Sequence, residues 1–137
     1  MSVSGADRLL VAGEAAGIAL VLDEPLSFWG GLDAASGAII DRHHPQRGDV
    51  VSGRVLVMPA GRGSSSSSSV LAEAIRAGTG PVAIVLRTAD TIVALGAVVA
   101  RELYGRVCPV VVAPGAADGI ATGDLIAISP DGAVTVG

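Results

Sequence analysis

The sequence contains no lysine, a single cysteine and only three aromatic residues, and each shortage excludes a class of protein. All nine basic residues are arginines, and against thirteen acidic residues they leave a net charge of −4. Because binding to nucleic acid needs concentrated positive charge against the phosphates, we expect no nucleic-acid partner. Cys108 alone cannot form an internal disulfide, and one thiol cannot hold a structural zinc or an iron–sulfur cluster. We therefore expect no metal site in this chain.

Long apolar runs are also missing. No apolar stretch reaches the ~18 residues that a membrane-spanning helix needs. The segment TIVALGAVVA comes closest, but Asp90 and Arg101 bound it. The N-terminus lacks the basic and apolar regions of a signal peptide. These features predict a cytoplasmic protein that does not bind membranes.

What the sequence does contain is small aliphatic residues and glycine. Half of the 137 residues are hydrophobic, which is enough for a core built from Val, Ile, Leu and Ala. Nineteen glycines and a charged fraction of 16% indicate tight turns rather than long solvated helices. The length is usual for one domain, and no linker divides the chain, so we expect a single domain over residues 1–137.

Apolar runs rich in β-branched residues predict about seven strands. They cover residues 8–13, 16–25, a short strand at 39–40, 50–58, 81–86, 108–113, and a hairpin over 124–136 that turns at Pro130, Asp131 and Gly132. The strand predicted over 81–86 is apolar without alternation, which is typical of a strand buried on both faces.

Two further segments have the periodicity of helices. Residues 69–77 place apolar side chains on one face, with Ser68 or Ser69 as the N-cap. A longer helix begins after Asp90, which is a good N-cap. Glycines end the two helices, at Gly78 and Gly105. The fold class is therefore α/β, a mixed barrel or layered sheet with two main helices on one face.

Six consecutive serines, Ser64 to Ser69, join the strand predicted over 50–58 to the first helix. Arg62 precedes them, between Gly61 and Gly63. At such a strand–helix junction backbone N–H groups converge on an anion, and a guanidinium can bind a carboxylate through two hydrogen bonds. A serine hydroxyl there would have its alkoxide form stabilised. The alternative is a flexible polar loop with one capping serine, and the residue types alone leave both interpretations open.

The stretch PLSFWGGLDAASGAIIDRHHPQRGDVVSGRVLVMPAGRGSSSSSSVLAEAIRAGTGPVAIVL resembles the small subunit of the aconitase X family. The resemblance covers most of the chain, from about Pro25 to Val112. It is specific in its combination of PLSFWGG, GAIIDRHHP and GRGS followed by a helix. It implies an aconitase-type swivelling β/β/α domain. It also implies a larger catalytic partner subunit that holds an iron–sulfur cluster and most of the catalytic residues.

The resemblance also implies a site. In the family, the serine of GRGS is the proton acceptor, which is Ser64 here. Arg62 falls where the loop faces the substrate, a small carboxylate, and we expect Gly61, Gly63 and Ser65 to contact the substrate beside it. Bacterial family members dehydrate cis-3-hydroxy-L-proline, and archaeal members dehydrate phosphomevalonate. The arginine-only, alanine-rich composition and the all-serine loop favour hydroxyproline. A non-catalytic domain that binds a carboxylate or a partner protein is the remaining alternative.

Other residues receive plainer interpretations. His43 and His44 are expected to be a surface pair at the end of a loop, since neighbours in an extended segment point to opposite sides. Phe28 and Trp29 stand beside two glycines, and the sequence leaves open whether they lie in the core or face a partner. We assign no catalytic role to the carboxylates near predicted turns, Asp33, Asp41 and Asp49.

Overall fold

The computed structural model describes residues 2–4 and 8–137, with side chains from residue 8 onward. The eight strands are β1 (Ser2–Ser4), β2 (Arg8–Val11), β3 (Ala15–Val21), β4 (Val55–Met58), β5 (Ala83–Leu86), β6 (Val110–Val112), β7 (Leu125–Ile128) and β8 (Val134–Val136). The helices are the short turn α1 (Phe28–Gly31), α2 (Ser66–Ala77), α3 (Thr91–Tyr104) and the short α4 (Pro114–Gly119).

All eight strands join in one mixed sheet, in the order β1-β8-β7-β3-β4-β5-β6-β2. The four central strands β3 to β6 run parallel to one another, and every other pairing in the sheet is antiparallel. The two edge strands, β1 and β2, are consecutive in the chain. β3 joins the two halves of the sheet, since its residues 15–18 pair with β7 and its residues 19–21 pair with β4. This confirms the predicted α/β class, a mixed barrel-like sheet with two main helices.

The central strands are buried on both faces, and their side chains alternate between two cores. Leu56, Met58, Ile84 and Leu86 pack under α2 and α3 in the first core. The other face of the same strands joins α4 and the antiparallel strands in the second core, through Val55, Val57, Ala83 and Val85. The resulting layers are two main helices, the parallel strands, and a second β layer. The prediction of a doubly buried strand at 81–86 is confirmed.

Two strand predictions before β4 were wrong. The strand predicted over 50–58 begins only at Val55, and in place of the strand predicted at 39–40 Ile39 makes an isolated bridge to Leu32. Val50 makes only one bridge, to Ala38, and Gly53 turns the chain with φ +71°. Val51 is fully buried nonetheless. The valines before the turn therefore fill the core from a loop, and composition alone does not separate that case from a strand.

The first main helix starts earlier than predicted, at Ser66, with Ser65 as its N-cap. Ser68 and Ser69 are helical residues rather than caps. Serine is a mediocre helix former, but tertiary contacts compensate here, because the buried Ser68 hydroxyl donates to the carbonyl of Ile92 at 2.8 Å. The predicted ends are confirmed: both C-cap glycines, Gly78 and Gly105, adopt left-handed backbone. The short helix α4 (PGAADG) was not predicted, because its glycines are typical of a loop.

Candidate functional site

The loop between β4 and α2 leaves the carboxyl end of a central parallel strand. In open α/β sheets this edge is where ligands bind, at the turns that lead into the helices. The loop spans residues 59–65 and contains the whole GRGS motif. Gly63 has φ +109°, a left-handed conformation that favours glycine, and it turns the chain into the helix. The backbone thus delivers Ser64 and Ser65 to the N-terminus of α2.

A second segment, residues 25–29, runs alongside this loop. Leu26 forms an isolated parallel bridge with Gly61, and its carbonyl accepts the N–H of Arg62 at 3.2 Å. The Arg62 side chain donates to the carbonyl of Pro25 at 3.4 Å. The site is therefore built from two chain segments. In the sequence PLSFWGG contributes only to the family resemblance, and no signal there indicates that it lies beside GRGS.

The two aromatic residues of that second segment, Phe28 and Trp29, differ in their exposure to solvent. Phe28 is 1% exposed and belongs to the core, whereas Trp29 is 63% exposed. The question that the sequence left open thus has a different answer for each neighbour. The only tryptophan of the chain stands on the surface, on a segment that touches the candidate site.

Both loop glycines are required by close packing within the chain. A Cβ on Gly61 would lie 2.6 Å from a methyl of Val93 and 2.9 Å from a carboxylate oxygen of Asp90. A Cβ on Gly63 would lie 2.5 Å from the Ser27 hydroxyl oxygen. From the sequence we expected Gly61 and Gly63 to contact the substrate. The structure supplies an internal reason, and contact of Gly61 and Gly63 with a substrate stays a prediction.

The serine run divides into exposed and buried residues. Ser64, Ser65 and Ser66 are exposed, whereas Ser67 and Ser68 are buried. The Ser64 hydroxyl oxygen accepts the N–H of Ser66 at 3.3 Å, and the Ser64 carbonyl accepts the N–H of Ser67 at 2.9 Å. The hydroxyl of Ser65 makes no capping hydrogen bond, although Ser65 is the N-cap. Ser64, Ser65 and Ser66 therefore present the exposed hydroxyls at the start of α2, whereas the Ser67 and Ser68 hydroxyls are engaged within the chain.

The electrostatics of the loop favour an anion. Within residues 8–137, no protein acceptor pairs with the backbone N–H groups of Gly63, Ser64 or Ser65. The first turn of α2 contains no acidic residue, so the positive end of the helix dipole is not neutralised locally. These N–H groups and the helix dipole form a positively polarised surface next to the Ser64 hydroxyl.

Arg62 adds a full positive charge to this surface. Its side chain is 53% exposed and, within residues 8–137, forms one ion pair, with Asp41, whose carboxylate oxygen lies 3.9 Å from a guanidinium nitrogen. At that distance the pair is loose and solvated, so it holds the guanidinium weakly. Sequence analysis gave Asp41 no role, and no sequence signal links it to Arg62. The pairing depends on how the loop after residue 40 folds back on the site.

The side chains do not fit an iron–sulfur cluster. In the described part of the chain, no group of three or more His, Cys, Asp or Glu residues is placed to hold a metal. Cys108 is fully buried, and this burial raises the pKa of its thiol to about 12, so the thiolate that would bind iron is disfavoured.

Among the helices of residues 8–137, none is sufficiently long and apolar to cross a membrane.

The two adjacent histidines, like the two adjacent aromatic residues, differ in their exposure to solvent. His43 is exposed, but His44 is 4% exposed, so the prediction of a surface pair was wrong for His44. The His44 Nδ1 accepts the N–H of Gln46 at 3.0 Å, and its Nε2 lies 3.1 Å from the carbonyl of Glu24. Both ring nitrogens therefore serve the loop that carries Asp41, and His44 is a structural residue.

Comparison with known proteins gives concordant results. The family described as the aconitase X swivel domain matches residues 5–136. A crystal structure of Thermococcus kodakaraensis aconitase X in its holo-form superposes with a TM-score of 0.87 and 31% identity, over 99% of this chain and 98% of that chain. A solution NMR structure of a UPF0107 protein gives a TM-score of 0.84 and 33% identity, over 98% of both chains.

Curated relatives fall into two groups. Cis-3-hydroxy-L-proline dehydratase of Pseudomonas aeruginosa is 54% identical over 103 residues, which are 75% of this chain and 18% of that protein. The phosphomevalonate dehydratase small subunit of Methanothermobacter thermautotrophicus is 41% identical over 93 residues, 68% of this chain and 71% of that subunit. The chain thus spans about a fifth of the length of the first relative and most of the length of the second. Since the family match covers nearly the whole sequence and the fold agrees along its length, the chain belongs to the aconitase X swivel-domain family.

Proposed function

We propose that this chain is the small subunit of a dehydratase that removes water from a hydroxy-carboxylate, with Ser64 as the proton acceptor. One observation carries the proposal: the exposed Ser64 hydroxyl stands at the unneutralised N-terminus of α2, beside the weakly paired guanidinium of Arg62. That arrangement suits an anionic substrate and a base that must become negatively charged. The names of the family relatives, which are dehydratases, support the reaction class.

The substrate we favour is cis-3-hydroxy-L-proline. The relatives that bear this activity in their names are 54% and 44% identical to the chain. Phosphomevalonate dehydratase small subunits of Thermococcus sibiricus and Methanopyrus kandleri are 43% and 39% identical to the chain. The second group matches this chain along more of its own length, up to 84%. Phosphomevalonate is therefore the alternative substrate, and its phosphate would also suit the positive loop.

The residues of this chain can perform one half of such a reaction. A proton next to a carboxylate is weakly acidic, so its removal needs a positioned base and stabilised negative charge. No His, Asp or Glu within residues 8–137 hydrogen-bonds the Ser64 hydroxyl to deprotonate it. The positive ends of the loop N–H groups, the helix dipole and Arg62 would therefore have to lower the pKa of Ser64. Arg62 would also hold the substrate carboxylate through two hydrogen bonds.

The other half must come from elsewhere, because the donor set of this chain does not fit a metal cluster. We propose that a larger aconitase X subunit is the partner and holds the iron–sulfur cluster together with the remaining catalytic residues. A swivelling domain would bring the Ser64 loop to that subunit. Single-domain organisation and a cytoplasmic location stay predictions from the sequence.

The proposal is tested by reconstitution with the larger subunit that co-purifies with this chain. We expect the 137-residue chain to be folded and inactive alone, and the iron-loaded complex to dehydrate cis-3-hydroxy-L-proline faster than phosphomevalonate. The reverse preference would assign the chain to the alternative substrate. Turnover by the metal-free chain alone would contradict the division of labour. A chain that binds hydroxyproline tightly but recruits no iron-containing partner would be a non-catalytic binding domain.

A further inference from the structure

Ser67 has a buried hydroxyl that plays no part in the proposed mechanism. It is 1% exposed and lies in the first turn of α2. Its oxygen accepts the backbone N–H of Trp29 at 3.2 Å and lies 3.3 Å from the hydroxyl of Ser27. A buried hydroxyl inside a helix usually bonds the preceding turn of its own helix. This one bonds a different segment of the chain.

Ser67 also contacts the loop of residues 59–65, which carries Ser64. The backbone N–H of Ser67 donates to the carbonyl of Ser64 at 2.9 Å. The Ser67 oxygen also lies 3.1 Å from the position that a Cβ on Gly63 would occupy, so the GRGS turn packs directly against it. Ser67 therefore contacts the loop of residues 59–65 through its backbone. Through its side chain it contacts residues 27–29, called the Trp29 segment below.

The Trp29 segment needs such an anchor because its own helical structure is incomplete. Trp29 and Gly30, inside the short turn α1, have non-helical backbone angles, and the N-cap Ser27 makes no capping hydrogen bond. The Ser27 hydroxyl donates instead to the carbonyl of Trp29 at 2.9 Å. The two serines thus hold both polar groups of the Trp29 backbone, while the indole extends outward and stays 63% exposed.

We propose that Ser67 is a positioning residue that fixes the Trp29 segment and the Gly63–Ser64 turn relative to each other. The fixed arrangement keeps the exposed Trp29 on the segment that runs alongside the loop carrying Ser64. Loss of the Ser67 oxygen would free the Trp29 backbone and loosen the Gly63–Ser64 turn that packs against this oxygen. The effect on turnover rests on the proposed function, whereas the effect on the Trp29 backbone does not.

The first test is amide hydrogen exchange of the 137-residue chain, followed by NMR. In the wild type, the Trp29 amide should exchange well below its intrinsic rate although its side chain is exposed. In Ser67→Ala, exchange at Trp29 should accelerate roughly 5- to 100-fold, because a buried donor loses its acceptor. The matched control is Ser66→Ala, which removes an exposed hydroxyl one residue away and should leave Trp29 unchanged. Protection of the buried β5 amides should be equal in all three proteins.

The second test is steady-state kinetics of the reconstituted complex. Ser67→Ala should lower kcat roughly 10- to 100-fold, the usual cost of a slightly misplaced base, and change KM little. Ser66→Ala should keep the wild-type kcat. A Trp29 amide that exchanges at its intrinsic rate in the wild type would overturn the proposal even if the variant failed to fold. Faster Trp29 exchange with unchanged kcat would also overturn it, since Ser67 would then be structural only. A wild-type complex without any dehydratase activity would refute the proposed function and leave the exchange result standing.

Discussion

Two junctions at the same edge of the sheet lead from a central parallel strand into a main helix: β4 into α2, and β5 into α3. The two helices differ in how their N-termini are capped. At the N-terminus of α3, one carboxylate oxygen of Asp90 accepts the N–H groups of Ile92 and Val93 at 2.9 and 3.0 Å. At the N-terminus of α2, the N-cap Ser65 makes no side-chain cap. The N-terminus of α3 is thus capped by a carboxylate of the chain itself. The N-terminus of α2 has no such carboxylate, so an external anion could bind there. The α3 junction is therefore called closed, and the α2 junction open.

The difference shows how a fold separates stability from function. A capping carboxylate satisfies the free N–H groups and the helix dipole, which stabilises the helix but occupies the place where an anion could bind. The α2 junction has no carboxylate, only the neutral Ser64 hydroxyl that accepts the N–H of Ser66, so it gives up that stabilisation and keeps Ser64 and Arg62 in a positive field. The close contact of Gly61 with Asp90 ties the two junctions together, so the capped helix also supports the open loop.

The largest effect should come from removing the base at the open junction. In the reconstituted complex, Ser64→Ala should lower kcat by roughly 10²- to 10⁴-fold, the usual contribution of a general base. Assembly with the larger subunit should be unchanged, because Ser64 is exposed and its carbonyl bond to Ser67 stays. Steady-state rates at saturating substrate measure this. If Ser66→Ala were inactive and Ser64→Ala active, the base would have been assigned to the wrong serine.

Changing the cation at the open junction should have the next largest effect. Arg62→Lys keeps the charge but loses the planar fork that binds a carboxylate twice, so KM should rise roughly tenfold while part of kcat survives. The control is Arg76→Lys at the other end of α2, where the guanidinium pairs with Glu73. Equal KM values for the wild type and both variants would exclude a substrate contact for Arg62.

A third experiment removes the cap at the closed junction. Asp90→Ala should lower the free energy of unfolding by about 1 kcal/mol, because two N–H groups lose their acceptor. Ser65→Ala is the matched change at the N-cap of α2. It should alter stability by less than about 0.5 kcal/mol, since no capping bond is lost. Urea denaturation of the 137-residue chain compares them. Equal losses would mean that Ser65 caps its helix after all.

The smallest effect should come from giving the open junction an anion. Ser66→Asp places a carboxylate in the first turn of α2, which should stabilise the chain by about 0.3–1 kcal/mol through the helix dipole. The same charge should repel an anionic substrate and raise KM. Ser66→Asn, which is neutral and similar in size, should leave KM unchanged. A stabilised Ser66→Asp enzyme with wild-type KM would show that the substrate anion does not bind at this helix end.

The sequence predicted best where one signal is local. The cap at Asp90, the stops at Gly78 and Gly105 and the hairpin turn at Gly132 depend on neighbouring residues only, and the structure confirms them. The doubly buried strand β5 was predicted for the same reason. The GRGS loop was located from its glycines and from family resemblance. What those signals could not give was the start of α2, since six identical residues carry no periodicity.

Composition, family, the ends of the two main helices and the position of the candidate base were thus determined by the sequence itself, because each is encoded in residues that lie close together in the chain. Tertiary structure alone decided that Trp29 is exposed while Phe28 is buried, that His44 is a structural residue, and that Ser67 serves a segment thirty-eight residues away. These outcomes depend on which segments meet when the sheet forms and the helices pack. Identical serines, adjacent histidines and adjacent aromatics acquire different roles only through the contacts that folding brings to each.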